Sequence, residues 1–142
     1  MSFEGAIRVL QEKALSCKGV KYAPDAVPEG MSSFPFVVSY PERGNLSAES
    51  GNLTRELHTV ITEFHVAPRA MLLEAVEAAK PYIGEFFRKL TLDPKLDNQV
   101  DTILMSQAQP VVYEFGLLQW ASTETIGFRM HITVKLRENA DT

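Results

Sequence analysis

From Ile126 to Leu136 apolar and polar residues alternate without a break. Ile126, Phe128, Met130, Ile132, Val134 and Leu136 fall on one side, and Gly127, Arg129, His131, Thr133 and Lys135 on the other. A period of two over this length predicts a long, half-buried antiparallel strand, with one apolar face to be covered and one charged face left for water or another subunit. Two earlier runs, Phe34–Tyr40 and Leu57–Val66, are rich in aromatic and β-branched residues and closed by Pro41 and Pro68, so they are expected to pair as a hairpin. A short strand is predicted near Val100–Met105 and a longer one over Val111–Trp120. Ala121–Glu124 then turns the chain into the alternating strand.

Helical spacing occurs twice. Ser2 is placed to cap a first helix with Glu4 in its first turn, and Phe3, Ile7, Leu10 and Ala14 recur down to Gly19. Met71–Leu90 carries a stripe of Leu72, Val76, Ala79, Ile83, Phe86 and Leu90 suited to covering a sheet, with Glu85 and Lys89 paired on its outer side. Pro81 removes the bond to the Glu77 carbonyl, which predicts a kink or two short helices. Val20–Ser33, with Pro24, Pro28 and Gly30, reads as an extended connector. Glu42–Glu56 is polar and lacks aromatic residues. It is expected to be a long loop or loosely paired ribbon in the first hairpin, either ordered by a neighbouring subunit or a flexible tip. Together these elements predict an α+β fold, a two-layer sandwich in which two helices cover a mostly antiparallel sheet of four to five strands.

Composition narrows the picture. A chain of 142 residues, 45% hydrophobic, suffices for one core burying roughly two-thirds of its unfolded surface, so a single domain over residues 1–142 is expected. A net charge of -4 argues against a protein that grips phosphate backbones. Cys17 has no second cysteine to join and reads as a buried thiol, in keeping with assembly in a reducing cytoplasm. The N-terminus, with Glu4 and Arg8, lacks the apolar core of a signal peptide, and no run approaches the ~20 residues of a membrane span, so no membrane partner is expected.

Candidate chemistry is sparse. His58 and His65 lie on one predicted strand, some ~23 Å apart at about 3.3 Å per residue and facing opposite ways, so they cannot share a metal. His65 and His131 could meet on the polar face, but two imidazoles without further ligands are a weak zinc signal. Ser39, Ser106 and Ser122 sit in no nucleophile elbow, and the eight glycines form no phosphate-binding loop. Glu63, Asp101 and Glu124 are read as ordinary surface or turn carboxylates. Phe34, Phe36, Tyr113, Phe115, Trp120 and Phe128 fall on strands and are read as core and cross-strand packing. No enzyme activity and no cofactor are expected.

The succession FPFVVSYPERG, RELHTVITEFHVA, a helix, QVDTILMSQA and FGLLQWASTETIGFRMHITVKL resembles the tail terminator (minor tail protein U-like) proteins of long-tailed bacteriophages. The resemblance runs from about Leu15 to Leu136. Its most specific pieces are Phe34–Val38 with Tyr40 and Pro41, and Glu124–Phe128 followed by the alternation. Asp97, Asn98 and Gln99 stand where the family's pattern has a glycine-rich turn. The resemblance implies a structural virion protein, found at the tail and neck and assembled in the host bacterial cytoplasm. Such a subunit forms a hexameric ring that caps the tail tube protein, ends its polymerisation and docks the head connector. DNA would pass through the lumen without being held, which suits an acidic chain. Arg43, Asn45, Glu49, Arg55 and Glu56 in the polar segment, and Arg129, His131 and Lys135 on the outer strand face, are the candidate subunit contacts. The alternatives are a head-closure or head-tail joining neck protein, and a small α+β enzyme or ligand-binding domain with a site built from dispersed residues.

Overall fold

The computed structural model describes residues 1–24, 33–49 and 51–139. The chain runs α1 (Phe3–Leu15), β1 (Phe36–Ala48), β2 (Leu53–Pro68), a 3-10 turn (Arg69–Met71), α2 (Leu72–Leu92), β3 (Thr102–Ile103), β4 (Val112–Trp120) and β5 (Thr123–Asn139). These elements make an α+β fold, a five-stranded antiparallel sheet with two helices. Most of the expected connector, residues 25–32, lies outside the described residues, as does Ser50 in the polar segment.

Ser2 caps α1 as predicted: its Oγ accepts the Gly5 N–H at 2.9 Å. The buried face of α1 is Ala6, Val9, Leu10 and Ala14, a slightly rotated version of the expected stripe. Phe3 and Ile7 pack at its margin, and Phe3 stacks on the His58 ring at 3.9 Å. On α2 the buried stripe is Ala75, Ala79, Tyr82, Phe86 and Leu90, while Leu72 is exposed. The helix runs unbroken through Pro81, where two short helices were an alternative. Pro81 sits on the exposed side, so the Glu77 carbonyl that loses its N–H partner can turn to water. Glu85, expected to pair with Lys89, accepts the Lys18 N–H at 3.1 Å and ties α2 to the end of α1.

β5 is the axis of the sheet. β2 pairs with it along one edge from Leu53↔Asn139 to Pro68↔Thr125, and β1 lies beyond β2. Its other edge is shared: β4 takes Thr123–His131, and the two residues of β3 take Val134 and Lys135. The even-numbered side of β5 is the apolar side predicted, and Ile126, Phe128, Met130, Ile132, Val134 and Leu136 are all buried under the helices. At the centre Phe64 stacks on Phe128 at 4.7 Å and meets Phe86 edge-on at 5.2 Å.

Two bulges shape the sheet. Glu42 is the extra residue between Pro41 and Arg43, and Val66 that between His65 and Ala67. A bulge kinks its strand and increases the local twist. Opposite the second bulge, a β-carbon on Gly127 would stand 1.7 Å from the Phe64 carbonyl oxygen, so only glycine allows the two backbones to approach this closely.

Of the two expectations for the polar segment 42–56, the paired ribbon holds and the long loop does not. β1 continues through Pro41 to Ala48, residue by residue opposite β2 down to Thr54, and the Glu49 N–H donates to the Leu53 carbonyl at 2.7 Å to close the turn. The regularity of the pairing was not legible, because polar residues without alternation carry no strand signal. The segment forms a ribbon that is exposed on its β1 side and held from behind by β5.

Candidate subunit-contact surfaces

The sheet face turned away from the helices was expected to be a solvated charged face. It is buried at one end. Glu63, His65 and Thr125 are 2%, 0% and 0% exposed. Alternation places Glu63 and His65 side by side on β2, and register brings Arg129 opposite Glu63 and Gly127 opposite His65. The flat space over Gly127 admits the imidazole, and Phe36 and Trp120 meet it edge-on, each with ring centres 6.3 Å away.

The carboxylate, imidazole and hydroxyl groups brought together here are all partnered, while Arg129 Nε is buried without a hydrogen-bond partner. His65 Nε2–H donates to Glu63 Oε1 at 2.9 Å, and in the neutral ring Nδ1 accepts from the Thr125 hydroxyl at 2.6 Å. Tyr40 donates its hydroxyl to Glu63 Oε2 at 2.5 Å, and Arg129 Nη2 stands 3.2 Å from the same oxygen. Burial alone would push the Glu63 carboxyl up. The hydrogen bonds from His65 and Tyr40, with the positive charge beside it, outweigh burial and hold it below its ordinary 4.5. Burial, then the bond to Glu63, pushes the Tyr40 phenol above its ordinary range. Glu63 is therefore no surface carboxylate, contrary to the reading from sequence. Alternation on a strand gives the side of the sheet, but not whether neighbours close over it.

The Glu63 and His65 side chains are buried and each already engaged by neighbours, so the network rigidifies the sheet. A second buried polar group, Gln11 with Ser39 and Thr62, lies between α1 and the sheet: the Ser39 hydroxyl is 2.5 Å from Gln11 Oε1 and 2.8 Å from Thr62 Oγ1. Gln11 Nε2 donates to the Pro24 and Val37 carbonyls, both at 2.9 Å. Cys17 is buried, and desolvation pushes its thiol up to about 11, which leaves it unreactive. Among the described residues no three His, Cys, Asp or Glu side chains are gathered as a metal site. His58 and His65 do face opposite sides, but His65 and His131 take separate partners instead of meeting.

The eight candidate contacts differ in how firmly they are held, and even the outward Arg43 lies 4.0 Å from Glu42. Glu49 is held by Arg55 at 2.7 Å and by Arg137 at 3.6 Å, and Glu56 by His58 at 2.7 Å. Arg129 serves Glu63, and His131 lies between Glu42 at 3.5 Å and Glu114 at 2.8 Å. These residues stiffen the subunit. Arg43 remains outward, its side chain 84% exposed, and with Asn45 it lines a hollow of about 410 Å³ against Leu57, Leu104 and Pro110. Lys135 lies opposite Leu57 and Thr102, away from the buried cluster.

A surface that alternation alone assigned to the core lies on the opposite edge. Tyr113, Phe115 and Leu117 project from the helix side of β4 and are 51%, 41% and 62% exposed. The helices cover the sheet as far as β5 and stop there. Leu72 and Arg69 border Phe115 and Leu117 around a hollow of about 260 Å³, so the patch is continuous with the start of α2. No family model matches the chain, and no curated protein is similar to it.

Proposed function

We propose that this chain is a structural assembly protein of a phage tail, a terminator whose copies close into a ring on the finished tail tube and offer the next surface to the head connector. The sequence resemblance supports this reading. So does one observation of architecture: a rigid sheet with two unlike edges, a polar ribbon at β1 and an apolar strip at β4. A closed ring needs head-to-tail contacts between two different surfaces of the same subunit, and a sheet with dissimilar edges has them. The Glu63 carboxylate is taken up by His65, Tyr40 and Arg129, which suits a stiffening role in the subunit.

Electron microscopy of tails made without this protein tests the reading. Tubes of uncontrolled length that regain a uniform length when the purified protein is added are the expected result. Tails of normal length with heads that fail to join would favour the neck-joining alternative instead.

A further inference from the structure

We propose that β4 of one copy pairs, antiparallel, with the outer half of β1 of the next, so that the sheet runs on across the subunit boundary. The inference rests on the ring reading and names the contact within it.

Direction is the first argument. In the order β1-β2-β5-β4 every neighbouring pair is antiparallel, so β1 and β4 run in opposite senses. Two copies in the same orientation therefore bring β4 of one and β1 of the other together as an antiparallel pair, without either being turned over. Both edges are open: among the described residues β4 is paired only with β5, and β1 beyond Val37 only with β2. Open edges carry a row of unsatisfied N–H and C=O groups that another strand can answer.

Side-chain chemistry agrees on both faces. On the helix side β4 presents Tyr113, Phe115 and Leu117. The bulge at Glu42 sets which β1 residues share that side: Pro41, then Gly44, Leu46 and Ala48, opposite Val60, His58, Glu56 and Thr54. These are small or apolar, and Leu46 is 71% exposed. On the other side β4 carries Glu114, its carboxylate 67% exposed, and β1 carries Arg43, of opposite charge and 84% exposed.

Area is the third argument. With roughly 150–250 Å² for a whole aromatic side chain and about as much for leucine, Tyr113, Phe115, Leu117 and Leu72 leave on the order of 450 Å² of apolar surface in the open. That lies within the roughly 300–600 Å² of the largest patch on a typical monomer, a size that is often functional.

The test uses the full chain with Leu117→Glu on β4 and Leu46→Glu on β1, both at exposed positions where folding is checked by circular dichroism. Native mass spectrometry and sedimentation, free and on purified tail tubes, read the assembly. Each variant alone should associate at least about tenfold more weakly than the parent. An equimolar mixture should give a two-copy species and nothing larger, because one intact β4 then meets one intact β1. Glu114→Arg and Arg43→Glu should each weaken the ring, and the two together should restore it. Parent rings left unchanged by both leucine variants, or a mixture that yields no two-copy species, overturn this contact alone. A parent chain that stays single both at high concentration and on tubes overturns the ring reading and this contact with it.

Discussion

Nε2 of His65 donates to the carboxylate of Glu63 at 2.9 Å, two residues away on the same strand and wholly inside the protein. Removing the carboxylate leaves the His65 N–H and the Tyr40 hydroxyl without their acceptor and Arg129 without its counter-charge, and each buried donor left unsatisfied costs about 1–3 kcal/mol. Glu63→Ala should destabilise the fold by about 3 kcal/mol, since Arg129 can still reach water. Urea unfolding of the two proteins measures the difference.

The same carboxyl sets an acid limit. Its folded-state pKa lies below the ordinary 4.5, so its ionised form contributes stability above that value, and the contribution is lost as pH falls through the folded pKa. Asp93 acts in the same sense: burial would raise its carboxyl, but the Asp97 N–H and Lys13 hold it below 3.8. Thermal unfolding should show a midpoint falling steeply below about pH 4.5. In Glu63→Gln that slope should be shallower over the same window.

At Gly127 even one methyl group is too much. A β-carbon there would lie 1.7 Å from the Phe64 carbonyl oxygen and 3.3 Å from the His65 α-carbon, all backbone and unable to swing aside. Gly127→Ala should break the β2–β5 ladder at the bulge, costing about 4 kcal/mol or more. Faster amide exchange at Phe64 and His65 than elsewhere on β2 is the expected signature.

Ala121 opens the turn between β4 and β5 with φ 53°, in the left-handed region that a β-carbon disfavours by roughly 1–2 kcal/mol. Ala121→Gly should therefore raise stability by about 0.5–1 kcal/mol, after allowance for the looser unfolded chain. The readout is the denaturation midpoint at unchanged slope.

Pro81 gives a parallel case on α2. Pro81→Ala restores a helical N–H at an exposed position and should add about 1–2 kcal/mol, less than the full ~3 kcal/mol propensity gap because proline also restricts the unfolded state. Differential scanning calorimetry would show the rise in melting temperature.

The layered α+β arrangement was legible because three signals were local and strong. These are the period of two through β5, the capped start of α1 at Ser2, and the apolar stripe of α2. What was not legible depends on neighbours. The outer ribbon is strand only because β5 stands behind it, and Asn45 or Ser47 carries no trace of that. Glu63 looks like any polar strand residue until Phe36, Tyr40 and Trp120 close over its face. Tyr113 and Phe115 look like core until the helices end one strand short of them. Pattern reports which residues share a side, whereas coverage depends on the lengths and positions of elements elsewhere in the chain.

The placement of β5 at the middle of the sheet also bears on how quickly the protein reaches its native state. Its ladder with β2 joins Leu53 to Asn139, so the principal seam is made between segments distant along the polypeptide. Ring-closure entropy is lost before that seam gives anything back, and the α1 turn or the β4–β5 hairpin can form long before it. Maturation should accordingly run on the millisecond-to-second scale of sheet-rich proteins. During that interval the edge of β2 that β5 will occupy is unpaired, and another nascent copy can add to it.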